Sequence, residues 1–212
     1  MKIICFDVNG TITDQTPWDL FVFDNNEIKE AIKNIFIAYN NKEISLDVLW
    51  KEITIVIRNN GKYNREYLLS GLERITTLKE GTVEIMAYLK DKGYKIYLVS
   101  CSLDIHLDYL VKKLKLDGFY SGTDIFFDEK GEIISIINRC YENKEFKEEK
   151  VKEIAKINNA SVEDIVFVGD GKNDIGSFKI TKKGIAMDSR VDELIKVSWK
   201  NIKKLEEIKN II

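Results

Sequence analysis

Two short apolar runs that end in aspartate constrain this chain more than any other feature. Residues 2–8 (KIICFDV) close on Asp7, and residues 165–168 (IVFV) lead through Gly169 to Asp170. A run with no polar alternation has no solvent face, so both of its faces must be covered. That is the situation of a strand inside a parallel sheet.

The segments between and after these runs supply the cover. Ile28, Ile32, Ile35, Phe36 and Tyr39 recur at helical spacing. Ser45 can cap a second helix carrying Leu46, Leu49, Trp50, Ile53 and Ile57, and Asn64 a third carrying Tyr67, Leu68, Leu72 and Ile75. From about 79 onward strands and helices alternate. The pattern predicts a helix over 82–92 stopped by Gly93, a strand over 95–100 and a helix over 104–115. A hairpin follows over 124–138, turning at 129–131, then a helix over 147–158 and the strand at 165–168. Last come a helix from about 174, a strand over 184–187 and a helix over 201–212. The expected fold is α/β: a Rossmann-like parallel sheet core with helices on both faces and an inserted helical cap. The expected division is a core of residues 1–14 and 79–212 and a cap of 15–78.

Composition excludes several functions. With 33 Lys+Arg against 35 Asp+Glu the net charge is −2, so no nucleic-acid partner is expected. Apolar residues at 44% and charged residues at 32% suit a packed core with a solvated surface. No apolar run is long enough to span a membrane, and the N-terminal run is too short for a signal peptide. Cys5, Cys101 and Cys140 are odd in number and widely spaced, so neither a zinc site nor a disulfide framework is expected, and a reducing cytoplasmic location is inferred. Oligomeric state is not legible.

Ligands of open parallel sheets bind beyond the carboxyl ends of the strands. Three predicted strand ends carry polar groups: Asp7 with Asn9, Ser100, and Asp170 with Asp174 four residues on. Clustered hard oxygens suit Mg²⁺.

These residues resemble the haloacid dehalogenase (HAD) superfamily. FDVNGTITD is similar to its first motif, DxDGT. VSCS is similar to the second, and GDGKND to the fourth, GDxxxD. Lys147 stands where the third-motif Lys does in the phosphoserine phosphatase group, with Lys144 as its rival. The resemblance implies a Mg²⁺-dependent phosphomonoester hydrolase acting on a small phosphorylated metabolite. Asp7 would attack phosphorus and form an aspartyl phosphate. Asp7, Asp170 and the backbone carbonyl of Asn9 would hold Mg²⁺, with Asp174 completing or orienting the shell, while Ser100 and Lys147 would bind the phosphate.

Position 9 departs from the pattern, because the family's acid–base Asp is replaced by Asn9. A carboxamide neither gives nor takes a proton near neutral pH. A native departure, an engineered substitution and partial deamidation before Gly10 all fit. A slow or non-catalytic HAD-like protein that binds Mg²⁺ and a phosphorylated ligand is the alternative to a phosphatase, and a phosphotransferase is a third reading. The group's substrate-reading Glu falls on Thr16. Arg58 and Arg65 are candidates for its Arg, and Trp18 and Phe21 would suit a less polar substrate. His106 and Cys101 lie close to Ser100 in sequence. His106 is read as an ordinary helix residue near the surface, with an acid–base substitute as the alternative, and Cys101 as a small packed residue beside the phosphate site, with a reactive thiol as the alternative.

Overall fold

The computed structural model describes residues 2–22, 25–141 and 143–212. Met1 and Glu142 of the expected core, and Phe23 and Asp24 of the expected cap, lie outside them. The strands are β1 (Lys2–Phe6), β2 (Tyr94–Leu103), β3 (Gly118–Phe127), β4 (Ile133–Asn138), β5 (Ile165–Gly169), β6 (Gly184–Met187) and β7 (Lys200–Ile202). They form one sheet in the order β4-β3-β2-β1-β5-β6-β7, parallel except for the β3–β4 hairpin. β1 is central, and its two neighbours come from different parts of the chain. This creates the crevice at which such sheets bind ligands.

Burial on both sides of β1 follows its alternation. Ile4 and Phe6 face one cluster with Ile85, Leu89, Leu107 and Leu110. These belong to α5 (Thr82–Asp91) and α6 (Asp104–Leu114). Ile3 and Cys5 face the other cluster, with Val151, Ile154, Phe178 and Leu194. These come from α7 (Phe146–Ile157), α8 (Ile175–Thr181) and α9 (Asp192–Val197).

Between β1 and α5 lie α1 (Asp19–Val22), α2 (Asn26–Asn40), α3 (Leu46–Asn59) and α4 (Arg65–Ile75). The expected caps form: Ser45 Oγ accepts from Val48 N and Asn64 Oδ1 from Tyr67 N. The apolar stripes of these helices are not buried among themselves alone. Leu49, Ile53 and Ile57 of α3 share a cluster with Ile125, Ile133 and Ile136 of the hairpin and with Leu103 and Ile105. Thr54 Oγ1 also accepts from Ile136 N at 3.1 Å, so α3 covers part of the sheet edge at β4.

Two expectations are corrected. The helix expected over 201–212 is β7 followed by a 3-10 helix, Leu205–Asn210. Ile202, Leu205, Ile208 and Ile211 recur every three residues, which is a 3-10 repeat. The open edge of β6 recruits the first of them. The expectation of no disulfide is also overturned, because Cys101 and Cys140 are bonded across a separation of 39 residues. The hairpin returns the chain after β4 to the side of β2. Gly122 of β3 makes the room, since a Cβ there would lie 2.2 Å from Cys140 Sγ. Sequence spacing carries no trace of this approach.

Candidate active site

β1 and β5 end side by side. Asp7 N donates to Val168 O at 2.9 Å, which ties the residue after β1 to the end of β5. Ser100 lies on β2, two residues past Leu98, which pairs with Phe6. Asp7 and Ser100 are both buried at the carboxyl edge of the sheet.

The turn after β1 is tight. The N–H groups of Thr11, Ile12 and Thr13 all donate to Val8 O at 2.8–3.1 Å. Gly10 has φ +88°, and a Cβ on it would lie 2.3 Å from Asp170 Oδ2. Glycine is needed there for both conformation and space. Thr11 Oγ1 donates to Asp170 Oδ1 at 2.6 Å, and Ser189 Oγ donates to Asp170 O at 2.7 Å. Lys79 Nζ donates to Gly10 O at 2.5 Å.

Asp174 folds back on its own loop. Its Oδ2 accepts from Asp170 N at 3.0 Å and from Gly171 N at 2.9 Å. Its Oδ1 accepts from Lys147 Nζ at 2.6 Å, and the same ammonium is 2.8 Å from Asp7 Oδ2. A carboxylate so fully engaged orients the loop that carries Asp170. Lys147 is 2% exposed, whereas its rival Lys144 is exposed to solvent. The four charged residues predicted from sequence therefore converge, with one oxygen each of Asp7, Asp170 and Asp174 within 4.8 Å of one another.

Three carboxylates are set against the buried Lys147 ammonium and the partly exposed Lys79, so this cluster has surplus negative charge. Burial, reinforced by Asp7, pushes both Asp170 and Asp174 above the ordinary carboxylate range, against Thr11 in the first case and Lys147 in the second. Lys147 is held in its charged form because Asp174 and Asp7 outweigh the cost of its burial. A largely buried, under-neutralised cluster of carboxylate oxygens fits a hard divalent cation.

Asn9 is half-buried and its side chain is held weakly, with Thr13 Oγ1 donating to Oδ1 at 3.5 Å. Cys101 is disulfide-bonded, and Asn173 Nδ2 lies 4.0 Å from its sulfur. His106 is not near the surface as expected. It is 2% exposed, with Nδ1 3.1 Å from Ser102 Oγ and Nε2 3.5 Å from Thr76 Oγ1. Burial lowers its pKa to about 4, so it is neutral at physiological pH.

The substrate-reading candidates make contacts of their own. Thr16 Oγ1 accepts from Trp18 N in a local turn. Trp18 packs on Phe21 and Trp50 at centroid distances of 5.7 and 6.0 Å. Arg58 lines a cavity of about 770 Å³ between α3 and β4, and Arg65 another of about 670 Å³ beside the β3–β4 turn. Neither cavity is lined by Asp7, Ser100, Lys147, Asp170 or Asp174. Sequence reasoning missed the parts played by Thr11, Ser189 and Lys79. Thr11 lies inside the first motif and was open to notice. Ser189 and Lys79 reach the site from 19 and 69 residues away, with no local signal.

Residues 1–180 match the family model of the haloacid dehalogenase-like hydrolases. The chain is 30% identical to a phosphoserine phosphatase of Methanocaldococcus jannaschii over 184 residues, covering 84% of this chain and 81% of that protein. It is 26% identical to a phosphoserine phosphatase of Lactococcus lactis over 192 residues, covering 87% and 82%. Among solved structures, a phospho-aspartyl intermediate analogue of phosphoserine phosphatase superposes with a TM-score of 0.76 at 26% identity. It covers all of this chain and 98% of that one. A substrate-bound phosphoserine phosphatase complex gives a TM-score of 0.77 at 25% identity with the same coverage.

Proposed function

The chain belongs to the haloacid dehalogenase-like hydrolases, and from that premise we propose that it is a Mg²⁺-dependent phosphomonoesterase acting through an aspartyl phosphate on Asp7. One observation carries the reading: buried Lys147 bridges Asp7 and Asp174 at 2.8 and 2.6 Å, in a cluster that includes Asp170. Mg²⁺ would be held by Asp7, Asp170 and the backbone carbonyl of Asn9, with Asp174 orienting the shell. When bound, the ion neutralises charge that would otherwise keep an anionic nucleophile and a phosphate apart.

The remaining steps belong to the chain. An Asp7 oxygen attacks phosphorus as the ester P–O bond breaks, and the leaving alkoxide takes a proton from water. The Lys147 ammonium holds an Asp7 oxygen at 2.8 Å and, with the Ser100 hydroxyl, stabilises the charge on the transferring phosphoryl oxygens. Water then attacks the aspartyl phosphate, releasing phosphate and regenerating Asp7. Asn9 can neither protonate the first leaving group nor activate that water, a loss of about 10²–10⁴-fold in rate. Residues 15–78 would act as the cap that excludes water from the first step. The substrate is a small phosphorylated metabolite. Phosphoserine phosphatases among the relatives favour an amino-acid phosphate, whereas Thr16 offers no carboxylate and Arg58 and Arg65 line cavities to which none of the cluster residues contributes.

Asn9 favours a second reading, a slow or non-catalytic protein that binds Mg²⁺ and a phosphorylated ligand. Hydrolysis of an aryl phosphate with and without Mg²⁺ separates the two. We expect Asn9→Asp to raise turnover about 10²-fold or more and Asp7→Asn to abolish it, with mass spectrometry checking residue 9 for deamidation. If Asn9→Asp stays inactive while Mg²⁺ still binds, the binding protein is the better reading.

A further inference from the structure

The chain leaves the first motif and returns to it through two antiparallel segments. Thr13 bridges Leu78, Asp14 N donates to Thr77 O at 3.4 Å, and Lys79 N donates to Ile12 O at 2.9 Å. These are the entry to and the exit from the helical segment α1–α4. At the last residue of the exit, the Lys79 side chain turns back and donates from Nζ to Gly10 O at 2.5 Å, while remaining 3.9 Å from Asp14 Oδ1. Its backbone is held at Ile12 and its ammonium at Gly10. It therefore closes a loop around the residues that must hold still if Asn9 O and Asp170 are to share a cation. Gly10 itself lies against the Asp170 carboxylate, and Thr11 donates to that carboxylate.

We propose that Lys79 is a positioning residue: it pins the Gly10 carbonyl, fixes the Asn9–Thr11 turn against Asp170, and ties that geometry to the exit segment that follows the helices. The inference rests on the reading of Asp7, Asp170 and Asn9 O as the cation site, but its contact with Gly10 does not depend on turnover.

Charge and position make opposite forecasts, which gives the test a sign. A lysine beside an acidic site repels a cation, so a purely electrostatic role means that removing its charge tightens Mg²⁺ binding. A positioning role means that the same change loosens it. We expect Lys79→Met to weaken Mg²⁺ binding about tenfold by titration calorimetry, and Lys79→Arg, which keeps a donor, to recover most of the loss. Amide hydrogen exchange on the metal-free protein supplies the second readout. The N–H groups of Thr11, Ile12 and Thr13, all bonded to Val8 O, should exchange about tenfold faster in Lys79→Met and near the parent rate in Lys79→Arg. Unchanged exchange at these three amides overturns the proposal, as does Mg²⁺ binding that stays equal or tightens. If the parent chain binds no Mg²⁺, the cation-site reading fails and the exchange result still decides whether Lys79 fixes the turn.

Discussion

Gly10 is constrained twice over. Its φ of +88° disfavours any side chain, and a Cβ would press on Asp170 Oδ2 at 2.3 Å. Gly10→Ala should therefore cost about 1–2 kcal/mol from backbone conformation alone, with a further loss as Asp170 is displaced. Chemical denaturation measures the first, and loss of Mg²⁺ binding the second. Lys147 is constrained by charge. Lys147→Met leaves Asp7 and Asp174 buried without their counterion, and we expect roughly 3–5 kcal/mol of destabilisation at neutral pH in the metal-free protein. His106 sets a pH dependence. Its folded pKa of about 4 lies below the ordinary 6.5, so the unfolded chain binds the extra proton first. The stability of the neutral imidazole is complete above about pH 6.5 and falls as pH drops towards 4, by roughly 3 kcal/mol for so buried a group. Urea midpoints across pH 7 to 4 should fall less steeply in His106→Gln.

At the scale of elements, two of the ties that hold the β3–β4 hairpin to its neighbours join segments far apart in sequence. The Cys101–Cys140 disulfide joins β2 to the turn after β4, and Thr54 of α3 accepts from the outward N–H of Ile136. A cross-link across 39 residues restricts the unfolded chain by up to about 4 kcal/mol in the chain-entropy description. We expect the Cys101→Ala, Cys140→Ala double variant to unfold at lower urea with much of that loss. Gly122→Ala should interfere with the bridge through its contact with Cys140 Sγ, raising the free thiol count on labelling. Most of the longer helices were legible from capping residues and 3.6-residue stripes, whereas the short α1 and α9 were not read from the sequence. The 3-10 segment at the C-terminus was not, because three-residue spacing also satisfies a helical reading over so short a span.

At the scale of the molecule, the proposed cap and core do not have separate interiors. Leu49, Ile53 and Ile57 are buried with Ile125, Ile133 and Ile136, which belong to the sheet. Replacing residues 15–78 with a short linker should expose that apolar face on the hairpin. We expect the product to bind a hydrophobic dye and to self-associate in sedimentation, while a cap with its own core would leave a well-behaved sheet domain.

The sequence by itself determined the buried strands, the caps of the helices, and the motif residues Asp7, Ser100, Lys147, Asp170 and Asp174. All but Lys147, which the family resemblance supplied, are set by local pattern: apolar runs, side chains that cap neighbouring amides, and polar residues at strand ends. The departure at Asn9 was equally plain, since it concerns the chemistry of one side chain. Only the tertiary structure decided that Cys101 meets Cys140, that His106 is enclosed rather than near the surface, and that Lys79 reaches Gly10. These depend on where separate segments meet once the sheet has ordered them. Contacts between residues 39, 30 and 69 positions apart leave no local periodicity to read.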